Sequence, residues 1–116
     1  MHRVERLQVV FYKTNVNNEP VRDWLKTLEK REKKLIGEDI KAVQIGWPLG
    51  MPLVKKIERD LWEIRTKLEN KISRVLFTMW QNNIVLIHGF IKKTEKIAKE
   101  DLELARKRVR DIKGGI

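Results

Sequence analysis

Apolar residues follow two different periods along the chain, and the change of period separates a helical part from a strand-rich part. A β-branched and aromatic run from Leu7 to Tyr12 predicts a first strand. Apolar residues then recur at helical spacing, from Val21 to Leu28 and again from Leu35 to Val43, which predicts two helices. Pro20 suits the first position of the earlier helix. The nearly all-charged run 30–34 predicts a helix end or an exposed bend between them.

The segment 47–52, with two prolines and a glycine, predicts a loop. Beyond this loop the apolar period becomes two, and residues 61–65, 73–80 and 84–90 predict three strands. The spacers between these strands are short and polar, which favours antiparallel hairpins. A last helix, capped by Thr94 and reaching about Ile112, carries one apolar stripe.

The predicted elements follow the order β, α, α, β, β, β, α. This order indicates an α+β domain whose helices pack on a mostly antiparallel sheet. The 116 residues suit one compact domain, 1–116.

The chain has no cysteine, which excludes a disulfide scaffold, a Cys-ligated zinc site and thiol catalysis. The only histidines are His2 and His88, so a His-rich metal centre is excluded as well. There is no apolar run of about 18 residues, and the start MHRVERLQ lacks the pattern of a signal peptide. We therefore expect a soluble, cytoplasmic protein without membrane contact.

Basic residues outnumber acidic ones by 26 to 16, which gives a formal net charge of +10. An excess of this size in so short a chain favours a polyanionic partner, most simply a nucleic acid. The alternative is a basic surface that serves only solubility.

Four cations fall inside the predicted strands or at their ends: Arg65, Arg74, Lys92 and Lys93. In adjacent antiparallel strands they would share one region of the sheet and form a phosphate site. The alternative is that they are ordinary solvated strand residues, with Arg65 or Arg74 paired to Glu63 or Glu58.

Weaker candidates surround this set. His88 lies in an apolar strand, where a lone histidine is more often structural than an acid or base. Of the four tryptophans, Trp47 lies in the Pro/Gly loop, where it would stack on a base or contact a partner. The predicted RNA-binding residues also include Lys55 and Lys56.

Three segments together carry a resemblance: Leu-Trp-Glu-Ile-Arg at 61–65, Ser-Arg-Val-Leu-Phe at 73–77, and Ile-Val-Leu-Ile-His-Gly-Phe-Ile-Lys-Lys-Thr at 84–94. They resemble the RelE/ParE superfamily of toxins from type II toxin–antitoxin systems, in its HigB-like, phage-associated branch. Ala105 matches the buried alanine of that branch's last helix, and residues 20–25 resemble its first helix. The resemblance therefore covers nearly the whole chain.

The resemblance implies a RelE-like fold, a small twisted antiparallel sheet with two N-terminal helices and a C-terminal helix. It implies a ribosome-dependent endoribonuclease, an mRNA interferase that cuts mRNA in the ribosome and inhibits translation. A cognate antitoxin, usually a helix-turn-helix protein, would neutralise it, and operator DNA would be contacted only through that antitoxin. By the same resemblance, Arg65, Arg74, Lys92 and Lys93 form the catalytic set.

RNA cleavage of this kind needs neither metal nor cofactor, because the 2′-OH attacks its own phosphate. The arginines would clamp the phosphate, and the enzyme must also move two protons. A lysine with a lowered pKa is one candidate base, and His88 is the rival acid or base. Phe77 stands where the family commonly has a tyrosine, and Tyr12 is the only tyrosine, so the proton donor stays open.

Two other functions fit the same resemblance. One is a ParE-like inhibitor of DNA gyrase, although toxins of that type generally lack the clustered Arg/Lys site. The other is a non-catalytic RNA-binding or interaction protein. The fold alone does not separate these functions, because function resides in the site.

Overall fold

The structure is a computed structural model that describes residues 7–92 and 96–114, with Lys92 described by its backbone alone. It contains five strands and three helices. Their bounds are β1 Gln8–Phe11, α1 Pro20–Lys26, α2 Lys30–Gly46, β2 Val54–Glu58, β3 Leu61–Lys67, β4 Ile72–Trp80, β5 Asn83–Lys92 and α3 Lys99–Gly114. Within the described ranges, no helix has the length and apolar character needed to cross a membrane.

The five strands form one mixed sheet in the order β1-β5-β4-β3-β2. The neighbours from β2 to β5 pair antiparallel, and for β3, β4 and β5 the short polar spacers predicted this pairing. β1 instead pairs in parallel with β5. The sheet is therefore mostly antiparallel, as the element order predicted, and the antiparallel sheet implied by the resemblance is wrong at this one edge. The α+β class is confirmed.

The strand β2 was not predicted. Its sequence, Val-Lys-Lys-Ile-Glu, has two lysines at its centre and buries only Val54 fully. It lies at the edge of the sheet, where only one side is paired and charged side chains are common. Pairing with β3 therefore makes it a strand although its own alternation is weak.

The charged run 30–34 is not a bend, which corrects the sequence-based expectation. These residues form the first turn of α2. The backbone N–H of Glu29 donates to Glu32 Oε1 at 3.2 Å, as part of a capping box that starts the helix. The expected cap of the last helix, Thr94, lies outside the described residues, and α3 begins at Lys99.

The two faces of the sheet pack against different helices. One core lies between the sheet and α1 and α2, and its fully buried residues include Val21, Ile36, Val43, Ile64, Val75, Phe77 and Ile84. A smaller core lies under α3 and comprises Leu61, Leu76, Ile87, Phe90 and Ala105. The sheet thus has an α1–α2 face and an α3 face.

Gly89 on β5 lets α1 approach the sheet closely. A Cβ atom built on Gly89 would lie 2.3 Å from Cε3 of Trp24, far inside contact distance. The absent side chain of Gly89 is therefore what makes room for the indole of Trp24, which packs against the core on the α1–α2 face.

Polar contacts fix α3 over its face of the sheet. Arg106 donates to both carboxylate oxygens of Glu58, with Nη2 2.7 Å from Oε1, and these hydrogen bonds lower the pKa of Glu58. The Tyr12 hydroxyl donates to Asp111 at 3.0 Å, and burial together with this contact raises the pKa of Tyr12. The guanidinium of Arg108 lies 5.3 Å from the centre of the Tyr12 ring. These contacts hold α3 beside the predicted catalytic strands.

Candidate functional site

Arg65 and Arg74 lie directly opposite each other on β3 and β4, on the α3 face of the sheet. Successive strand residues alternate between faces, so Glu63 and Arg65 share the face on which Leu61 packs under α3. Directly opposed residues have Cβ atoms about 4.5–5.5 Å apart, and like charges in such pairs are destabilising. The pair of arginines therefore needs a counter-charge.

Glu63 supplies this counter-charge, and its side chain is fully buried. Arg74 Nη1 donates to both carboxylate oxygens of Glu63, at 3.1 and 3.2 Å. Arg65 Nε lies 3.6 Å from Glu63 Oε1 and completes an ion-pair network. The three side chains carry a formal net charge of +1. We call them the Glu63 network.

The two arginines are thus both paired with Glu63, which was one of the alternatives that the sequence left open. Glu58, the other acidic residue considered for this role, pairs with Arg106 instead. The exposures of the two arginines differ: 3% of the Arg74 side chain and 17% of the Arg65 side chain are accessible. Arg65 therefore has the freer surface for a ligand, while Arg74 is held by the carboxylate.

A cleft of about 470 Å³ opens between β2 and α3, next to the Glu63 network. Three cations and three apolar side chains line it: Lys55, Arg74, Lys96, Ile57, Ile97 and Leu102. Lys55 is the register partner of Glu63 across β2 and β3, so it lies on the same face. Cations above apolar walls suit a nucleotide, whose phosphate is charged and whose sugar and base are partly apolar. We call this the β2–α3 cleft.

The two predicted lysines at the end of β5 are only partly described. The backbone of Lys92 pairs with Ile72, which is two residues before Arg74 along β4. Lys93 lies outside the described residues. Their predicted catalytic role stays a prediction.

His88 forms a close pair with an acidic residue of α3. Its Nε2 lies 2.7 Å from Asp101 Oδ1, and the ring centroid lies 5.2 Å from that of Phe90. Because an ionised carboxylate only accepts, Nε2 carries the proton in this hydrogen bond. When the imidazole is neutral, Nδ1 then keeps a lone pair that can accept a proton. In such a pair the carboxylate of Asp101 can orient the imidazole, and His88 can act as a general acid or base.

Trp47 and Lys56, predicted to bind RNA, lie on the α1–α2 face and not with Arg74. Trp47 makes edge-to-face contacts with Trp62 and Phe77, with ring centroids 5.2 and 5.4 Å apart. Lys56 Nζ lies 6.0 Å from the Trp62 ring centroid. Trp47 is thus partly buried and packs edge-on against aromatic side chains at the core. Its role in RNA binding stays a prediction.

Sequence reasoning did not assign a site role to Glu63, Lys96 or Asp101. Glu63 carried a signal, since it alternates with Arg65 on one face of a predicted strand. Asp101 lies in the first turn of α3, where a carboxylate interacts favourably with the helix dipole. Its contact with His88 depends on how α3 crosses β5, which no local pattern reveals. Among residues 7–92 and 96–114, no three His, Asp or Glu side chains gather as metal ligands.

The chain matches a known protein family. The family model described as Phage derived protein Gp49-like (DUF891) matches residues 23–110, which reach from within α1 into α3. The matched range includes the Glu63 network, His88 and both lysines at the end of β5. No curated protein matches the chain.

Proposed function

The chain belongs to the Gp49-like family of phage-derived proteins, and on this basis we propose that it is the toxin of a type II toxin–antitoxin system. This family is associated with toxin-like proteins. We propose further that the toxin is a ribosome-dependent mRNA endoribonuclease that acts in the cytoplasm. The observation that carries the proposal is the β2–α3 cleft, where Lys55, Arg74 and Lys96 meet beside the Glu63 network.

In the proposed reaction a ribose 2′-OH attacks the adjacent phosphorus. The O2′–P bond forms and the P–O5′ bond breaks, which leaves a 2′,3′-cyclic phosphate and a free 5′-OH. One base removes the 2′-OH proton, and one acid protonates the leaving O5′. No further reactant is needed, so the protein supplies position, charge and two proton transfers.

The cations of the site have separate roles in this proposal. Arg65, Lys55 and Lys96 supply positive charge that stabilises the negative charge growing on the phosphorane oxygens. Arg74 is a positioning residue, because Glu63 holds its Nη1 and burial restricts the rest of its side chain. The Glu63 network keeps the charge fixed before the substrate arrives, and this avoids reorganisation during the reaction.

We assign one proton transfer to His88. The 2.7 Å contact with Asp101 favours it over a lysine, because the carboxylate fixes the ring and one tautomer. Lys92 and Lys93 stay part of the proposed catalytic set, as the resemblance implies.

The proposed partners are the ribosome with its mRNA and a cognate helix-turn-helix antitoxin. A protein of charge +10 attracts an acidic or amphipathic antitoxin segment, and such a segment would cover the cationic cleft. The antitoxin, and not this chain, would contact operator DNA.

A second function, non-catalytic RNA binding, is favoured by one observation. Both arginines of the Glu63 network are already paired with a carboxylate, so the network offers a phosphate less charge than two free arginines would. Less available charge weakens the stabilisation of a phosphorane, while Lys55 and Lys96 of the cleft can still hold the RNA backbone.

The test is primer-extension mapping of mRNA on translating ribosomes with wild type and Arg65→Ala. We expect wild type to cut and the variant to cut on the order of 100-fold more slowly, as when one oxyanion donor is lost. Arg59→Ala is the matched control, since Arg59 is an exposed arginine in the turn between β2 and β3 and lines a different cleft. Folded wild type that binds RNA but makes no cuts would leave the non-catalytic function.

A further inference from the structure

A second cleft lies on the other side of Arg65. It has a volume of about 410 Å³ and lies between α2, the end of the loop before β2, and the adjoining ends of β3 and β4. Its lining residues are Asp39, Pro52, Leu53, Arg65, Lys67 and Ile72. Three of the six are apolar, two are cations and one is an acid. We call it the Asp39 cleft.

Asp39 is the one acidic residue that lines this cleft. Within the described part of the chain, no hydrogen bond or ion pair engages the Asp39 carboxylate, although Arg65 and Lys67 line the same cleft. Asp39 is partly buried on α2, beside apolar side chains. An ionised carboxylate has two oxygens that accept hydrogen bonds and none that donates. The cleft therefore offers two carboxylate oxygens that can accept hydrogen bonds, with apolar side chains around them.

We propose that the Asp39 cleft binds a guanine base of the RNA, an inference that rests on the proposed function. Guanine is the RNA base that carries two neighbouring N–H donors, N1–H and N2–H, on its Watson–Crick edge. These two donors match the two oxygens of one carboxylate, and bidentate contacts of this kind discriminate strongly between bases. Pro52, Leu53 and Ile72 supply apolar surface for the faces of the base.

Arg65 links the Asp39 cleft to the proposed catalytic site. Arg65 lines the Asp39 cleft and also belongs to the Glu63 network, which adjoins the β2–α3 cleft through Arg74. Lys67 follows Arg65 by two residues on the same face of β3, about 6.6 Å along the strand. These two cations are placed to meet phosphates beside the bound base. Asp39 would thereby select the nucleotide next to the cleaved bond.

The test compares guanosine 5′-monophosphate with inosine 5′-monophosphate, which lacks only the 2-amino group. Each is titrated into isotope-labelled wild type, and the backbone amide signals of Leu53 and Ile72 are followed by NMR. We expect guanosine monophosphate to bind on the order of tenfold more tightly than inosine monophosphate. Asp39→Asn should remove this difference. Glu38→Gln, a change of the neighbouring exposed acid on α2, should preserve it.

The proposal is overturned if wild type binds the two nucleotides equally, if millimolar guanosine monophosphate leaves both amide signals unmoved, or if Asp39→Asn still discriminates. The spectrum of the variant itself reports whether it is folded. The outcome is separable from that of the proposed function. If the protein discriminates guanine but does not cleave mRNA, the endoribonuclease proposal fails and the guanine site stands. If it cleaves mRNA but does not discriminate guanine, the guanine site fails and the endoribonuclease proposal stands.

Discussion

Arg74 Nη1 donates to both oxygens of Glu63 across β3 and β4, and both side chains are almost completely buried. A buried ion pair contributes little net stability when it is complete, because desolvation opposes the attraction between the charges. Its loss on one side is costly, because a buried charge remains without a counter-charge. Variants of this ion pair can therefore show whether it is required for stability, for the proposed cleavage of RNA, or for both.

Glu63→Gln should lower the free energy of unfolding by about 3–5 kcal/mol, since Arg74 then loses its counter-charge. Urea denaturation measures this. Glu103→Gln, on the exposed side of α3, should change stability by less than about 0.5 kcal/mol. The double variant Glu63→Leu with Arg74→Met should recover most of the stability but not the proposed RNA cleavage. Wild-type stability for Glu63→Gln would show that the network does not bear on the fold.

Gly89→Ala should destabilise the protein by about 1–3 kcal/mol, because the new methyl group meets the Trp24 ring and forces α1 away from β5. The matched control is Gly37→Ala on α2, where a Cβ atom meets nothing within 4 Å. This change should stabilise the protein by about 0.5–1 kcal/mol, because alanine favours a helix interior. Thermal unfolding of both variants checks the opposite signs. A neutral Gly89→Ala would mean that Trp24 moves aside without cost.

Alternation in the strands accounts for the part of the site that the sequence could predict. The pattern Leu-Trp-Glu-Ile-Arg places Glu63 and Arg65 on one face of a strand. The pairing of Arg65 with Arg74, however, needs the register of β3 against β4, which depends on the whole hairpin. Local composition did not reveal the contacts of Trp47, because its edge-to-face packing on Trp62 and Phe77 depends on how the loop folds back onto the sheet. Asp39 carried no sequence signal, since its cleft is formed by segments far apart in the chain.

The ion pair between Glu58 and Arg106 predicts a dependence of stability on acid pH. Hydrogen bonds from Arg106 lower the pKa of Glu58 in the folded protein below its ordinary value of about 4.3. The resulting stabilisation is present above that ordinary value, and it is lost as the pH falls through the lower pKa of the folded state. Arg106→Gln should therefore be less stable than wild type at neutral pH, and the difference should shrink in acid. Urea titrations between neutral pH and pH of about 3 measure it. A difference that does not change with pH would assign the effect of Arg106 to packing.

His88 and Asp101 provide the most direct test of the proposed chemistry, because one proton transfer is assigned to His88. Their contact also joins β5 to the first turn of α3, so a structural role must be distinguished from a chemical one. If His88 transfers a proton, His88→Gln should lower the rate of RNA cleavage by about 10²–10⁴-fold, the usual contribution of general acid–base catalysis. It should also remove the limb of the pH–rate profile that belongs to the imidazole. Asp101→Asn keeps the size of the side chain but no longer holds the proton on Nε2, so we expect a smaller loss of rate and a displaced limb. A structural role for the pair would instead lower the stability of both variants and leave the shape of the profile unchanged. Measuring the pH–rate profile together with urea denaturation therefore distinguishes a proton-transfer histidine from one that only anchors α3.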